Sequence, residues 1–121
     1  YVYFIYGMYW CVNAVTRAQG LPSAVLIRAI EPLDGLELMR GRRPRARDAV
    51  QLTNGPGKLC MALGIDGRHN GVSLLSGQLT VRQGLSVADS EVSVTPRIGI
   101  SRAVDWPLRY FIAGNPFVSR G

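Results

Sequence analysis

Tyr1-Val2-Tyr3-Phe4-Ile5-Tyr6-Gly7-Met8-Tyr9-Trp10-Cys11-Val12-Asn13-Ala14-Val15-Thr16 opens the chain and decides its class. Two runs of aromatic and β-branched residues flank Gly7-Met8. Side chains of these types suit a pleated, half-buried surface, so both runs read as strands. A Gly-X pair between them predicts a two-residue type II′ hairpin loop with glycine first. Tyr6, Met8 and Tyr9 then crowd the tip, where polar residues are usual. Large apolar groups at such a place meet something.

Further along, residues 17–22 read as a loop, and Ala24-Val25-Leu26-Ile27-Arg28-Ala29-Ile30 as a central, nearly all-apolar strand. Leu33 to Arg40 reads as a short helix with Leu33, Leu36 and Met39 on one face, closed by Gly41. Arg42, Arg43, Arg45 and Arg47 make a basic loop, read as solvated, with nonspecific contact to a DNA backbone as the alternative. Thr53-Asn54-Gly55-Pro56-Gly57-Lys58 is a second helix start, with Leu59, Ala62 and Leu63 as its apolar stripe. Residues 64–71 form a turn-rich exit. Residues 78–82 and 91–95 alternate with period two, residues 97–100 continue after Pro96, and residues 108–113 give a last strand. The predicted class is α+β: one domain, a curved, mostly antiparallel, open-barrel-like sheet with two short helices and a protruding hairpin.

The chain has 121 residues, 47% apolar and 18% charged, which excludes a disordered tail. No apolar run approaches the roughly 18 residues of a membrane span. Cys11 and Cys60 lack metal-site spacing and read as buried free thiols. Thirteen Arg and the single Lys58 against eight acids leave a net charge of +6. Such a surface fits a polyanion, and arginine suits phosphate; an arginine-rich coding bias fits equally.

With that charge, the aromatic tip reads as a wedge for a base stack, or as a surface that folds back on a preceding segment. Arg28 is either a structural ion pair or a group that orients water or an anion at a site. Backbone N–H groups at the Gly55–Lys58 helix start suit a phosphate, although no Walker A spacing is present; a plain helix start fits too. His69, the only histidine, reads as a solvated turn residue. Glu31, Asp34 and Glu37 are explained by the dipole of the helix they flank. No side chain stands out as a general base.

The hairpin stretch is followed in order by Val25-Leu26-Ile27-Arg28-Ala29-Ile30-Glu31-Pro32, Gly55-Pro56-Gly57-Lys58-Leu59-Cys60 and Pro96-Arg97-Ile98-Gly99-Ile100. Pro107-Leu108-Arg109-Tyr110-Phe111 and Gly114-Asn115-Pro116-Phe117-Val118-Ser119 complete the series. Together these blocks closely resemble the alkyladenine (3-methyladenine, methylpurine) DNA glycosylase family. The resemblance implies a single α/β domain of the kind found at the C-terminus of a tRNA formyltransferase. It implies hydrolysis of alkylated or deaminated purines (3-methyladenine, hypoxanthine, ethenoadenine) from double-stranded DNA, by base flipping and an activated water. No metal, cofactor or covalent lysine intermediate is implied.

By position, Tyr6 resembles the residue that fills the gap left by the flipped base, with Met8 and Tyr9 beside it. Tyr3 resembles the aromatic against the flipped purine. Asn13 resembles the residue that obstructs the guanine 2-amino group. Arg28 and the main-chain carbonyl of Ile98 resemble the groups that hold the water. Gly99, Ser119 and Lys58 resemble backbone contacts. The family's general-base Glu, with a pocket His and Tyr, lies upstream of the Tyr-rich hairpin and has no match here. The chain opens without Met and reads as the C-terminal part of a longer protein, expected to excise little alone. A noncatalytic DNA- or lesion-binding module and a formyltransferase-like RNA-binding domain are the alternatives. A monomer in the bacterial cytoplasm, at the nucleoid and away from membranes, is expected.

Overall fold

In the computed structural model, which describes residues 1–5, 9–16, 23–84, 86–98 and 105–118, the two opening runs pair antiparallel. They form β1 (Val2–Ile5) and β2 (Tyr9–Val15). Ile5 stands opposite Tyr9, so three residues connect the strands rather than the expected two. The connecting Tyr6, Gly7 and Met8 lie outside the described residues.

Strand β2, not the 24–30 segment, is the central strand. Of that segment only β3 (Ala24–Leu26) joins the sheet, as the edge on the side of β2 away from β1, with Asn13 opposite Leu26. The Ile27 N–H still donates to the Val12 carbonyl at 3.1 Å. Beyond it the chain peels away, and Ile30 bonds Thr53 instead. A competing backbone partner therefore shortens the strand that the apolar run predicted.

Helix α1 (Leu36–Arg42) starts later than expected. Gly35, at φ 75°, holds the backbone in the left-handed region just before it. Leu33 is left outside the helix and exposed, while Met39 is buried and Gly41 lies within the helix. Helix α2 (Ala49–Thr53) was not foreseen. Its signal is Asp48-x-x-Gln51: the Asp48 carboxylate accepts from the Gln51 N–H at 2.9 Å. Helix α3 (Pro56–Leu63) begins where the sequence places it, with proline in its first turn. Gly64, at φ 71°, ends it, and the Ile65 N–H reaches back to the Cys60 carbonyl at 2.8 Å.

The exit after α3 is a 3₁₀ turn at Gly67–His69. The Asn70 side chain accepts from the Val2 N–H at 3.1 Å and so ties this turn to β1. Residues 78–82 do not form a strand; the alternation is present but the backbone finds no ladder there. β4 (Val92–Thr95) and β5 (Arg109–Ile112) pair antiparallel, Val92 opposite Ile112 and Thr95 opposite Arg109. Two antiparallel sheets with short helices give the expected α+β class, and no closed barrel forms among the described residues.

Two buried clusters hold these pieces together. Val2, Val12, Leu59, Cys60 and Ile65 form one; Met39, Leu52 and Ala62 form the other. Leu63 packs against both. Helix α3 therefore locks the hairpin to α1 and α2, and its N-terminal end comes to lie beside the hairpin.

Candidate functional site

Alternation along the paired hairpin decides what faces the site. Val2 and Val12 enter the core, whereas Tyr3, Ile5, Tyr9 and Cys11 line a groove of about 790 Å³. That volume lies within the usual range of about 300–1,000 Å³ for a binding cleft. Leu26, Arg28 and Ile98 line it as well, and so do Gly55–Lys58, Met61, Arg42 at the end of α1, and Arg43 and Arg45 just after it.

Of the residues that the sequence singled out, Tyr3, Tyr9, Arg28, Ile98 and Lys58 are thus brought together around one space. Asn13 is not among the lining residues. It is buried in β2, and its side-chain amide donates to the Tyr1 carbonyl at 3.3 Å. Tyr6, Met8, Gly99 and Ser119 lie outside the described residues.

Tyr3 is half-buried, stacked on the Tyr1 ring with centroids 5.4 Å apart, and hydrogen-bonded to the Cys11 thiol. Its ring is therefore positioned before any ligand arrives. Tyr9 lies against the start of α3. A Cβ on Gly57 would stand 2.7 Å from the Tyr9 ring, so the ring and the helix backbone are in direct contact.

Arg28 is half-buried, and its charge is unfavourable where it sits. Burial is the larger reason and repulsion from Arg109 the second; together they hold its pKa below the ordinary value. Cys11 and Tyr3 act the other way. Arg28 also opens onto a second cavity of about 720 Å³, shared with Arg97, Arg109 and Phe111. There the Arg109 guanidinium lies 4.3 Å from the centre of the Phe111 ring.

The stretch read as a solvated basic loop starts inside the last turn of α1, which includes Arg42, and is partly pinned. The Arg42 guanidinium donates to the Ala62 carbonyl at 3.0 Å, and Arg43 donates to the Gln51 carbonyl. Lys58 donates to the Asn54 side chain at 3.0 Å. His69 is likewise not a free turn residue. Its Nδ1 accepts from the Asp66 N–H at 3.2 Å, completing the cap of the 3₁₀ turn. Asp66 is held below the usual carboxylate range, chiefly by hydrogen bonds from Arg68.

Sequence reasoning missed Ile5, Cys11 and the loop arginines as groove residues. The period-two parity with Tyr3 and Tyr9 would have found the first two. Nothing local in the sequence says that the 42–45 loop returns beside the hairpin.

Residues 1–116 match the protein family described as Methylpurine-DNA glycosylase (MPG). Curated relatives bearing the name "Putative 3-methyladenine DNA glycosylase" are similar over almost the whole chain. The one from Rhodopseudomonas palustris (strain HaA2) is 46% identical over 119 residues, covering 98% of this chain and 58% of the relative. The one from Salinibacter ruber is 48% identical over 119 residues, covering 98% and 57%. The one from Methanoculleus marisnigri is 46% identical over 123 residues, covering 99% and 64%. The chain thus spans about three-fifths of the length of these relatives.

Proposed function

This chain belongs to the methylpurine-DNA glycosylase family, and on that premise we propose that its groove receives a damaged purine flipped out of duplex DNA. The observation that carries this reading is the meeting of Arg28 with Tyr3, Tyr9 and Ile98 around one groove. A guanidinium disfavoured by burial and by a second arginine gains from an anionic or polarised partner. A water on its way to hydroxide is such a partner.

Tyr3 stacks on the extruded base, and base–aromatic stacking is worth about 1–3 kcal/mol. Tyr6, Met8 and Tyr9 occupy the space that the base leaves. Arg28 and the Ile98 carbonyl hold the water. Gly99, Ser119 and Lys58 contact the DNA backbone. In the reaction the C1′–N bond breaks and its electron pair leaves with the purine. Water forms the C1′–O bond and gives its proton to a carboxylate. That carboxylate is a Glu which these 121 residues do not supply, since Glu31 belongs to the Glu31-Pro32 block that the family carries in its own right. General-base catalysis is worth about 10²–10⁴-fold, so the chain by itself excises little. The substrates are 3-methyladenine, hypoxanthine and ethenoadenine in double-stranded DNA. The protein works as a monomer in the bacterial cytoplasm without cofactor.

The test is single-turnover excision from a duplex carrying one hypoxanthine or one ethenoadenine. This chain is compared with a version extended upstream by the corresponding segment of a relative. The expected result is cleavage by the extended protein alone, crippled by Tyr6→Ala and by Arg28→Ala. Cleavage by the short chain overturns the placement of the general base. If neither version cuts but both bind duplex DNA with steep salt dependence, the groove belongs to a noncatalytic DNA-binding module. Its arginine-rich lining makes that the second reading.

A further inference from the structure

Alternation along the hairpin puts Tyr1 and Tyr3 on one face, opposite Asn13 and Cys11 on the neighbouring strand. Tyr1 is 57% exposed, so burial explains little of its place. Its ring stacks on Tyr3, with centroids 5.4 Å apart and planes inclined by 29°. Tyr1 does not line the groove, so it covers Tyr3 from outside that space. Its backbone is fastened to the middle strand of the sheet. The Tyr1 nitrogen donates to the Asn13 carbonyl at 2.9 Å. The Tyr1 carbonyl accepts twice, from the Asn13 N–H at 2.8 Å and from the Asn13 side-chain amide at 3.3 Å. Asn13 is itself buried in β2, between β1 and β3. Tyr3 is thereby restrained twice, by its hydrogen bond with the Cys11 thiol and by Tyr1 against its ring.

We propose that Tyr1 is a positioning residue: clamped by Asn13, it braces the Tyr3 ring so that the ring stands ready to stack on the flipped purine. The proposal rests on the reading of Tyr3 as the purine's platform and adds the residue that acts through it. Tyr1 touches neither the purine nor the DNA. A base that stacks on a loose side chain must first order it, and that loss of freedom comes off the binding. A ring already held by a thiol and a second ring has lost the freedom on folding. The same geometry gives Asn13 a task outside the groove, since its amide fixes the brace.

The test uses the upstream-extended protein and a duplex carrying one ethenoadenine, a base that fluoresces. Time-resolved anisotropy of the bound ethenoadenine reads its local motion, and single-turnover excision at saturating protein reads the reaction. Tyr1→Ala is expected to increase the motion and to slow excision by about 2- to 13-fold, the scale of one aromatic pair. Tyr1→Leu keeps bulk without the stack and is expected to do the same, so a folding loss in the alanine variant does not stand in for the effect. Tyr1→Phe keeps the ring and is expected to match the wild type. Affinity for an undamaged duplex, which presents no flipped base, is expected to be equal in all four proteins. If Tyr1→Ala and Tyr1→Leu behave as wild type while Tyr3→Ala changes both signals, Tyr3 needs no brace; the proposal is overturned and the purine reading stands. If Tyr3→Ala also leaves both signals unchanged, the purine reading of Tyr3 fails and the brace with it. If Tyr1→Leu weakens binding to undamaged duplex as much as it slows excision, Tyr1 meets the DNA directly, and the proposal is overturned.

Discussion

Thr53 and Ile30 exchange two hydrogen bonds. The Thr53 hydroxyl donates to the Ile30 carbonyl at 2.8 Å, and the Ile30 N–H donates to the Thr53 carbonyl at 3.3 Å. Thr53 is completely buried at the end of α2. This pair holds the segment that carries Arg28 against the helices after it has left the sheet. Thr53→Val keeps the shape and removes the donor, leaving the half-buried Ile30 carbonyl short of a partner. The expected loss is about 1–3 kcal/mol of stability, read from urea unfolding. Thr53→Ser is expected to retain most of it.

Arg28 separates stability from activity. Burial and Arg109 both disfavour its charge in the folded protein. Arg28→Met removes the guanidinium and keeps the apolar stem, so its melting temperature reads the balance between that cost and the contacts the guanidinium makes. Excision by the extended protein is expected to fall by about 10²–10³-fold, as for loss of one preorganised electrostatic group. A variant that melts much earlier shows instead that Arg28 anchors the fold through an ion pair.

Cys60 links stability to alkaline pH. Burial pushes its thiol up from 9.0 to about 11, and burial raises Cys11 as well. Between these values the unfolded chain has lost a proton that the folded protein keeps. Stability is therefore expected to fall as pH rises from about 9 to 11 and then to level off, with no contribution from Cys60 below that window. In Cys60→Ala the decline is expected to shrink to the share of Cys11. Chemical denaturation at pH 8, 9, 10 and 11 measures it.

Gly57 seats Tyr9. Its Cβ position stands 2.8 Å from Tyr9 Cγ and 2.9 Å from Tyr9 Cβ, so no branched or long side chain fits without moving the base of the hairpin. Gly57→Leu is expected to weaken duplex DNA binding by about 5- to 150-fold, the scale of one misplaced stacking aromatic at about 1–3 kcal/mol. Wild-type affinity in this variant would show that Tyr9 plays no part in binding.

The hairpin, α3, β4 and β5 were legible because each is written locally. Aromatic and β-branched runs, Gly55-Pro56 before an apolar stripe, and period-two alternation are properties of neighbouring residues. The same local grammar failed where a distant partner decided the outcome. Residues 24–30 read as a central strand, yet Thr53 draws Ile30 out of the sheet. Residues 78–82 alternate as a strand does, yet no ladder meets them. Asp48-x-x-Gln51 is a local start signal for α2, set close behind the arginines of residues 42–47. At the site, Arg28 stands out in the sequence as a cation in an apolar run and Lys58 as the cation at a helix start, and the blocks of resemblance add Tyr3 and Ile98. Asn13 was placed in a pocket by the same resemblance, whereas its amide bonds the Tyr1 carbonyl.

What the amino-acid order determined by itself is the α+β class, the hairpin and the family, because period, turn chemistry and ordered blocks are all written along the chain. What only tertiary structure decided is which cations share a space. Arg28, Arg42, Arg43, Arg45 and Lys58 come from three separate stretches, and helix α3 packing on β2 brings them round one groove. No local rule encodes that meeting, since it follows from burying Leu59, Cys60 and Val12 together. The apolar core, formed for its own free energy, sets the positions of the charges.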